Sequence, residues 1–142
     1  MELFKYAISK GYKDFSVFYK HIPTPQIDPT EESFDLRNNE QYKSWKELGN
    51  APVIGGYLIL GYSSIETLDG LESVGGILYL GNTPIESLGN LNYVGSWLTL
   101  SHTPNLKSLG KLDHVGGRIF VTKGSSTEEL VLKSKFAGKI GY

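Results

Sequence analysis

The sequence predicts an α/β repeat protein: a short parallel-β solenoid of stacked units with a helical cap at each end. Three observations lead to this reading. A unit of about twenty residues recurs along the middle of the chain. Each unit opens on Gly-Gly or Gly-Ser and continues with an alternating L-x-L, the period of a strand with both leucines on one face. Each also carries six apolar positions, too many for so short a segment to bury alone, so neighbouring units must share them as one core.

The units align without forcing. GGYLILGYSSIETLDGLESV begins at Gly55, GGILYLGNTPIESLGNLNYV at Gly75 and GSWLTLSHTPNLKSLGKLDHV at Gly95. GGRIFVTKGSS follows from Gly116, and Leu48-Gly-Asn-Ala-Pro-Val-Ile54 matches the tail of a unit ahead of the first. The extra residue of the third unit lies near Asn105. The shared columns are Leu58/Leu78/Leu98, Leu60/Leu80/Leu100, Ile65/Ile85/Leu106, Leu68/Leu88/Leu109, Leu71/Leu91/Leu112 and Val74/Val94/Val115. The Gly-Gly step lets the backbone turn where a Cβ would clash, and Asn-Thr-Pro or His-Thr-Pro turns the chain off the strand. The apolar residues of I-x-S-L-x-x-L-x-x-V fall at intervals of three, which predicts a return through a short helical or 3₁₀ turn. Parallel strands about 4.8 Å apart then make a four-strand ribbon roughly 15 Å across, from Tyr57 to Val121.

One domain is expected over 1–142, with an N-terminal cap at 1–50, repeats at 51–123 and a C-terminal cap at 124–142. Met1 to Lys10 places Leu3, Phe4, Ala7 and Ile8 at helical spacing, with Gly11 as a stop. Tyr12, Phe15, Phe18, Tyr19 and Ile22 are also helix-spaced, although Phe15, Val17 and Tyr19 alternate like a strand. Asp28-Pro-Thr-Glu31 reads as an N-cap, a first-turn proline and a capping-box glutamate, and Tyr42, Trp45 and Leu48 continue the helical spacing to Gly49. The alternative, an independent head domain, is disfavoured because so short a segment without disulfide or metal folds alone with difficulty. The C-terminal cap is expected to begin near Ser126-Thr-Glu-Glu129 and to pack through Leu130, Leu132 and Phe136.

In the pattern L-x-L-x-x-[ST]-x-I-x-x-L-x-x-L-x-x-V-G-G the chain resembles the leucine-rich repeat, most closely the receptor L-domain variety with its V-G-G-x-L signature. The resemblance covers about Leu48 to Val121. It implies a solenoid and a habit of binding proteins, and it brings no catalytic residues. The chain departs from the family where Asn commonly follows the strand; Ser63, Thr83 and Thr103 stand there, which predicts a Ser/Thr ladder and a flatter stack.

The strand residues between the leucines face away from the core. Tyr57, Ile77, Trp97 and Arg118 should form one column, and Ile59, Tyr79, Thr99 and Phe120 the next. Six of these eight are large and apolar or aromatic, and Trp, Tyr and Arg are enriched at interface hot spots. An apolar patch of several hundred Å² on a soluble protein marks an interaction site. Two competing readings are that the caps or the tail through Tyr142 cover this ribbon, and that the rings are simply good strand formers.

Composition narrows the partner. Fourteen Lys and Arg against fifteen Asp and Glu give a net charge of −1, without the basic footprint of a nucleic-acid binder or a polybasic membrane anchor. No cysteine is present, which removes disulfides and thiolate metal sites and suits the cytosol. Charges at Glu2, Lys5 and Lys10 argue against a signal peptide. Ser101-His102 and Asp113-His114 supply triad letters, but they are expected on opposite sides of a coil, too far apart for a nucleophile and its base or for a shared metal; both histidines read as solvated turn residues. Glu66, Glu86 and Lys107 share one repeat position, read as a solvated turn face rather than a glycosidase pair. Gly110-Lys111 lacks phosphate-loop spacing.

The expectation is a non-enzymatic, cofactor-free and metal-free binding module: an adaptor, or an inhibitor of a larger protein, that uses the aromatic strand face on a protein or peptide. Its expected location is the cytoplasm, which for an inhibitor of viral origin is the host's. The alternatives are a structural protein that self-associates as a homo-oligomer, through that face or an uncovered strand edge at Arg118–Thr122, and a carbohydrate-binding or carbohydrate-active solenoid whose aromatic platforms stack on sugars.

Overall fold

The computed structural model describes residues 34–35, 53–68 and 70–142. Each repeat unit supplies one strand to each of two parallel sheets. Strands β1 (Phe34–Asp35), β3 (Leu58–Ile59), β5 (Leu78–Tyr79), β7 (Leu98–Thr99), β9 (Ile119–Phe120) and β10 (Ile140–Gly141) make the first sheet, in that order. Strands β2 (Val53–Ile54), β4 (Ser73–Val74), β6 (Tyr93–Val94) and β8 (His114–Val115) make the second. Leu58, Leu78, Leu98 and Ile119 lie opposite one another in register, as do Ile54, Val74, Val94 and Val115. All eight are buried and belong to one core shared by the two sheets.

That core contains all but one of the aligned apolar positions of the repeat. Leu60, Ile65, Leu68 and Leu71 are fully buried, and so are their counterparts Leu80, Ile85, Leu88 and Leu91. In the last full unit the seal weakens: Leu106 and Leu112 remain buried, while Leu109 is half-buried and packs on the core from outside.

Among the described residues the return segments carry no helix, against expectation. Their backbone donors reach back one unit: Glu86 N–H to Glu66 O (3.1 Å), Lys107 N–H to Glu86 O (2.9 Å) and Asp113 N–H to Asn92 O (2.9 Å). Ser87 and Ser108 form a parallel bridge. The L-x-x-L spacing marks a tight corner, closed by Leu71 N–H to Leu68 O and Leu91 N–H to Leu88 O, both 3.0 Å. A helix would hydrogen-bond inside each segment, whereas bonding to the neighbouring unit also fixes the stacking.

The Gly-Gly steps are required by that stacking. Gly75, Gly95 and Gly116 sit above one another, and a Cβ built on any of them would fall 2.0–2.1 Å from the carbonyl oxygen of the glycine one unit back. Tyr62, Asn82 and His102 share another column, each with φ near +60° where the chain leaves the first sheet.

The hydroxyls of Ser63, Thr83 and Thr103 are buried, but they do not form a ladder between units. Each donates to the carbonyl three residues back in its own turn, at 2.7 Å: Ser63 to Leu60, Thr83 to Leu80 and Thr103 to Leu100. A short hydroxyl satisfies the nearest carbonyl first. Only at the end of the stack does the bonding leave the turn, where Thr127 Oγ1 donates to Thr103 O at 2.9 Å.

Residues 1–50 of the expected N-terminal cap lie outside the described residues except Phe34–Asp35. These two form a strand on the edge of β3, rather than part of the helix read from Asp28. At the other end, α1 (Ser126–Leu132) starts where expected, with the Ser125 hydroxyl accepting from Glu128 N–H at 3.1 Å. Its buried side chains are Thr127 and Val131, four residues apart on one face. Leu132, expected in the core, is 51% exposed because the helical turn carries it off that face, while Phe136 is buried and Leu130 partly so. A 3₁₀ turn at Ala137–Lys139 then leads into β10.

Strand β10 pairs with β9 in parallel, so the edge expected to be uncovered at Arg118–Thr122 is occupied. The ribbon has six strands rather than four, roughly 24 Å across. Beyond β10, the Tyr142 hydroxyl donates to Glu128, whose other carboxylate oxygen accepts from Gly124 N–H at 3.0 Å. These hydrogen bonds, chiefly the one from Tyr142, hold the Glu128 carboxyl below its ordinary range. The same bond raises the Tyr142 phenol above its ordinary value. The depressed Glu128 group lends stability above the ordinary carboxylate range, lost as pH falls through its folded pKa. The raised Tyr142 group lends stability below the ordinary phenol range, lost as pH rises through its folded pKa. Alkaline titration followed by tyrosine ultraviolet absorbance should show one tyrosine ionising late, and E128Q should return it toward the normal range. An unchanged titration in E128Q would show that this clasp does not form.

Candidate functional site

Strand alternation turns every second residue of the first sheet outward, and the register brings these residues into two columns. Tyr57, Ile77, Trp97 and Arg118 precede the buried residues of β3, β5, β7 and β9, which pair in sequence. Ile59, Tyr79, Thr99 and Phe120 are themselves direct register partners. Successive members of a column stand about 4.8 Å apart.

The columns differ in exposure. In the first, Tyr57 is 41% and Trp97 49% exposed, Arg118 is exposed and Ile77 is half-buried. In the second, Ile59, Tyr79, Thr99 and Phe120 are all half-buried. The rings lie over neighbouring glycines. A Cβ on Gly61 would meet the Tyr79 ring at 2.4 Å, and one on Gly81 would meet the Tyr79 hydroxyl at 2.9 Å. One on Gly117 would meet Trp97 at 2.3 Å, and one on Gly141 would meet Phe120 at 2.8 Å. Trp97 and Phe120 also pack edge to face, with centroids 5.6 Å apart and planes at 80°, a favoured aromatic geometry. Glycine thus provides the floor on which this aromatic layer rests.

Sequence reasoning identified the outward residues but missed the floor. Its signal was present in the glycines at 61, 81, 117 and 141, beside the outward aromatics on the same or the next strand. The tail enters the sheet edge-on as β10, and its Gly141 lies under Phe120. Arg118 is anchored there too. Its aliphatic stem comes within 3.2 Å of the Gly141 Cβ position, and Nη1 donates to Ile140 O at 3.3 Å.

The residues considered for chemistry stay apart in the fold. His102 lies in the turn after β7, where its backbone N–H donates to Thr122 Oγ1 at 2.9 Å. His114 is not a turn residue: it belongs to β8 in the second sheet and stacks on Tyr93, with centroids 4.9 Å apart and planes 12° from parallel. Asp113 pairs with Lys135 at 2.6 Å, and that hydrogen bond and charge hold its carboxyl below the usual range. Glu66, Glu86 and Lys107 run along the return corner, all exposed. Among the described residues, no three His, Asp or Glu side chains are grouped to hold a metal ion, and no helix is long and apolar enough to cross a membrane.

A cleft of about 350 Å³ opens between the turn after β7 and the start of α1, lined by His102, Thr103, Pro104, Thr122, Ser125 and Thr127 among others. Its buried hydroxyls are already engaged with each other, Thr103 with Thr127 at 3.1 Å. No protein-family model matches the chain, and neither a curated protein nor a solved structure matches it.

Proposed function

We propose that the chain is a non-enzymatic protein-binding module: a leucine-rich-repeat-like solenoid with helical caps that acts as an adaptor or as an inhibitor of a larger protein in the cytoplasm. Its binding surface is the outward face of the first sheet, centred on Trp97 and Tyr57. What supports this reading is that both side chains keep over two-fifths of their surface exposed. They also share one column of a sheet whose register is set by buried leucines. An aromatic ring exposed on a rigid floor loses little conformational entropy on binding, which favours it as an anchor.

The test separates binding from folding. Tyr57→Ser and Trp97→Ser are expected to keep the wild-type circular dichroism spectrum. They should abolish capture of whatever protein the wild-type chain retains by affinity purification from its native cells. Capture that is undiminished in both variants would remove the face from the interaction. Self-association through the edge at Arg118–Thr122 has less to support it, because β10 occupies that edge.

A further inference from the structure

The binding face is electrostatically lopsided. From β3 to β10 its two outward columns hold no carboxylate, and the acid in register with them, Asp35 beside Ile59, lies at the opposite edge on β1. The first column runs Tyr57, Ile77, Trp97 and then Arg118. Ile140 pairs with Ile119, and Lys139, the last residue of the 3₁₀ turn, immediately precedes Ile140 as Arg118 precedes Ile119. Arg118 therefore stands one strand spacing beyond the Trp97 anchor, about 5 Å, and a second cation is carried into the same edge of the sheet just ahead of β10. This edge of the face therefore offers positive charge to a carboxylate. Arg118 is already positioned for one: its stem rests over Gly141 and one N–H is fixed on Ile140 O, of the five a guanidinium carries.

We infer that the partner of this face is an acidic protein segment, one that lays an apolar or aromatic side chain against Trp97 and presents Asp or Glu to Arg118 and Lys139. The inference rests on the proposed binding face and adds polarity to it. The aromatic column supplies burial, and the cationic end fixes the direction in which the segment lies and accelerates encounter. A guanidinium favours a planar carboxylate that it can grip with two N–H groups.

The experiment pans a phage-displayed random peptide library against the full chain and measures synthetic copies of the enriched peptides by fluorescence anisotropy. Enriched peptides are expected to combine an aromatic or aliphatic residue with Asp or Glu. Changing those acids to their amides should weaken binding about tenfold. Panning against R118E/K139E, checked by circular dichroism, should instead select Lys- and Arg-bearing peptides, and R118Q/K139Q should select neither charge. Peptides that lose binding in W97S or Y57S, yet show no acidic preference and bind R118E/K139E as well as wild type, would overturn the inference and leave the face standing. Peptides indifferent to W97S and Y57S, or no enrichment at all, would overturn both.

Discussion

Gly95→Ala is expected to destabilise the protein by about 3–5 kcal/mol, enough to unfold a domain of ordinary stability. The added methyl would lie 2.0 Å from Gly75 O and 2.8 Å from the Gly75 carbonyl carbon. These are backbone atoms of the unit below, and they cannot rotate aside as a side chain can. Relief requires the two units to separate, but Gly95 N–H donates to Val74 O at 2.8 Å and Ser96 N–H to Gly76 O at 3.2 Å. Separation would stretch those bonds and open the core beneath them. Gly138→Ala is the control, since a Cβ there meets nothing within 4 Å and the residue lies in a 3₁₀ turn. It should be neutral or stabilising by about 0.5 kcal/mol, through lost freedom of the unfolded chain. Urea unfolding of both variants checks the pair, and a G95A protein as stable as G138A would contradict the close stacking of units.

The same glycine column shows which parts of the fold were legible in the sequence. Repetition at a fixed interval reports contacts between equivalent positions, so the buried leucines, the outward columns and the strand register could all be read from alignment alone. The return segment was misread because L-x-x-L is ambiguous: the interval suits a helical face and a string of tight corners equally, and the partner of each backbone N–H decides between them. Those partners lie one unit back, on Glu66, Glu86 and Asn92, where no local pattern points. The chain ends were harder for the same reason. Neither Phe34–Asp35 nor Ile140–Gly141 repeats anything, yet each adds a strand to the sheet because edge strands leave backbone groups unpaired. Leu132 was assigned to the core and Val131 was not, since a seven-residue helix offers too few positions to fix which face is inward.

For the outward face of the first sheet, strand alternation specifies direction but not support. Alternation along each strand is enough to say that Trp97 and Tyr79 point outward. That each ring lies on glycine, Tyr79 on Gly61 and Gly81 and Trp97 on Gly117, depends on which way a side chain leans across its neighbours, and register alone does not determine that. Tyr79 and Phe120 are also half-buried, so serine there would disturb the sheet as well as any partner. Tyr57 and Trp97, the more exposed pair, are the better probes.

A stack held together by contacts between neighbouring units should be weakest where a unit has a neighbour on one side only. Leu88 and Leu109 test this, because they hold the same position in successive units and differ in what lies beyond them. Leu88 is fully buried between the units on either side of it, and Leu109, in the last full unit, is half-buried against the core. Leu88→Ala is expected to cost about 3 kcal/mol, the lost transfer free energy plus the cavity that rigid neighbours cannot fill. Leu109→Ala should cost about 1 kcal/mol, since part of that side chain already meets water and the end of the stack can relax around the gap. Urea midpoints compared at a common m-value give both numbers. Equal losses at the two sites would mean that α1 and Phe136 seal the final unit as tightly as a further repeat would. The C-terminal segment would then have to be counted as a full member of the stack.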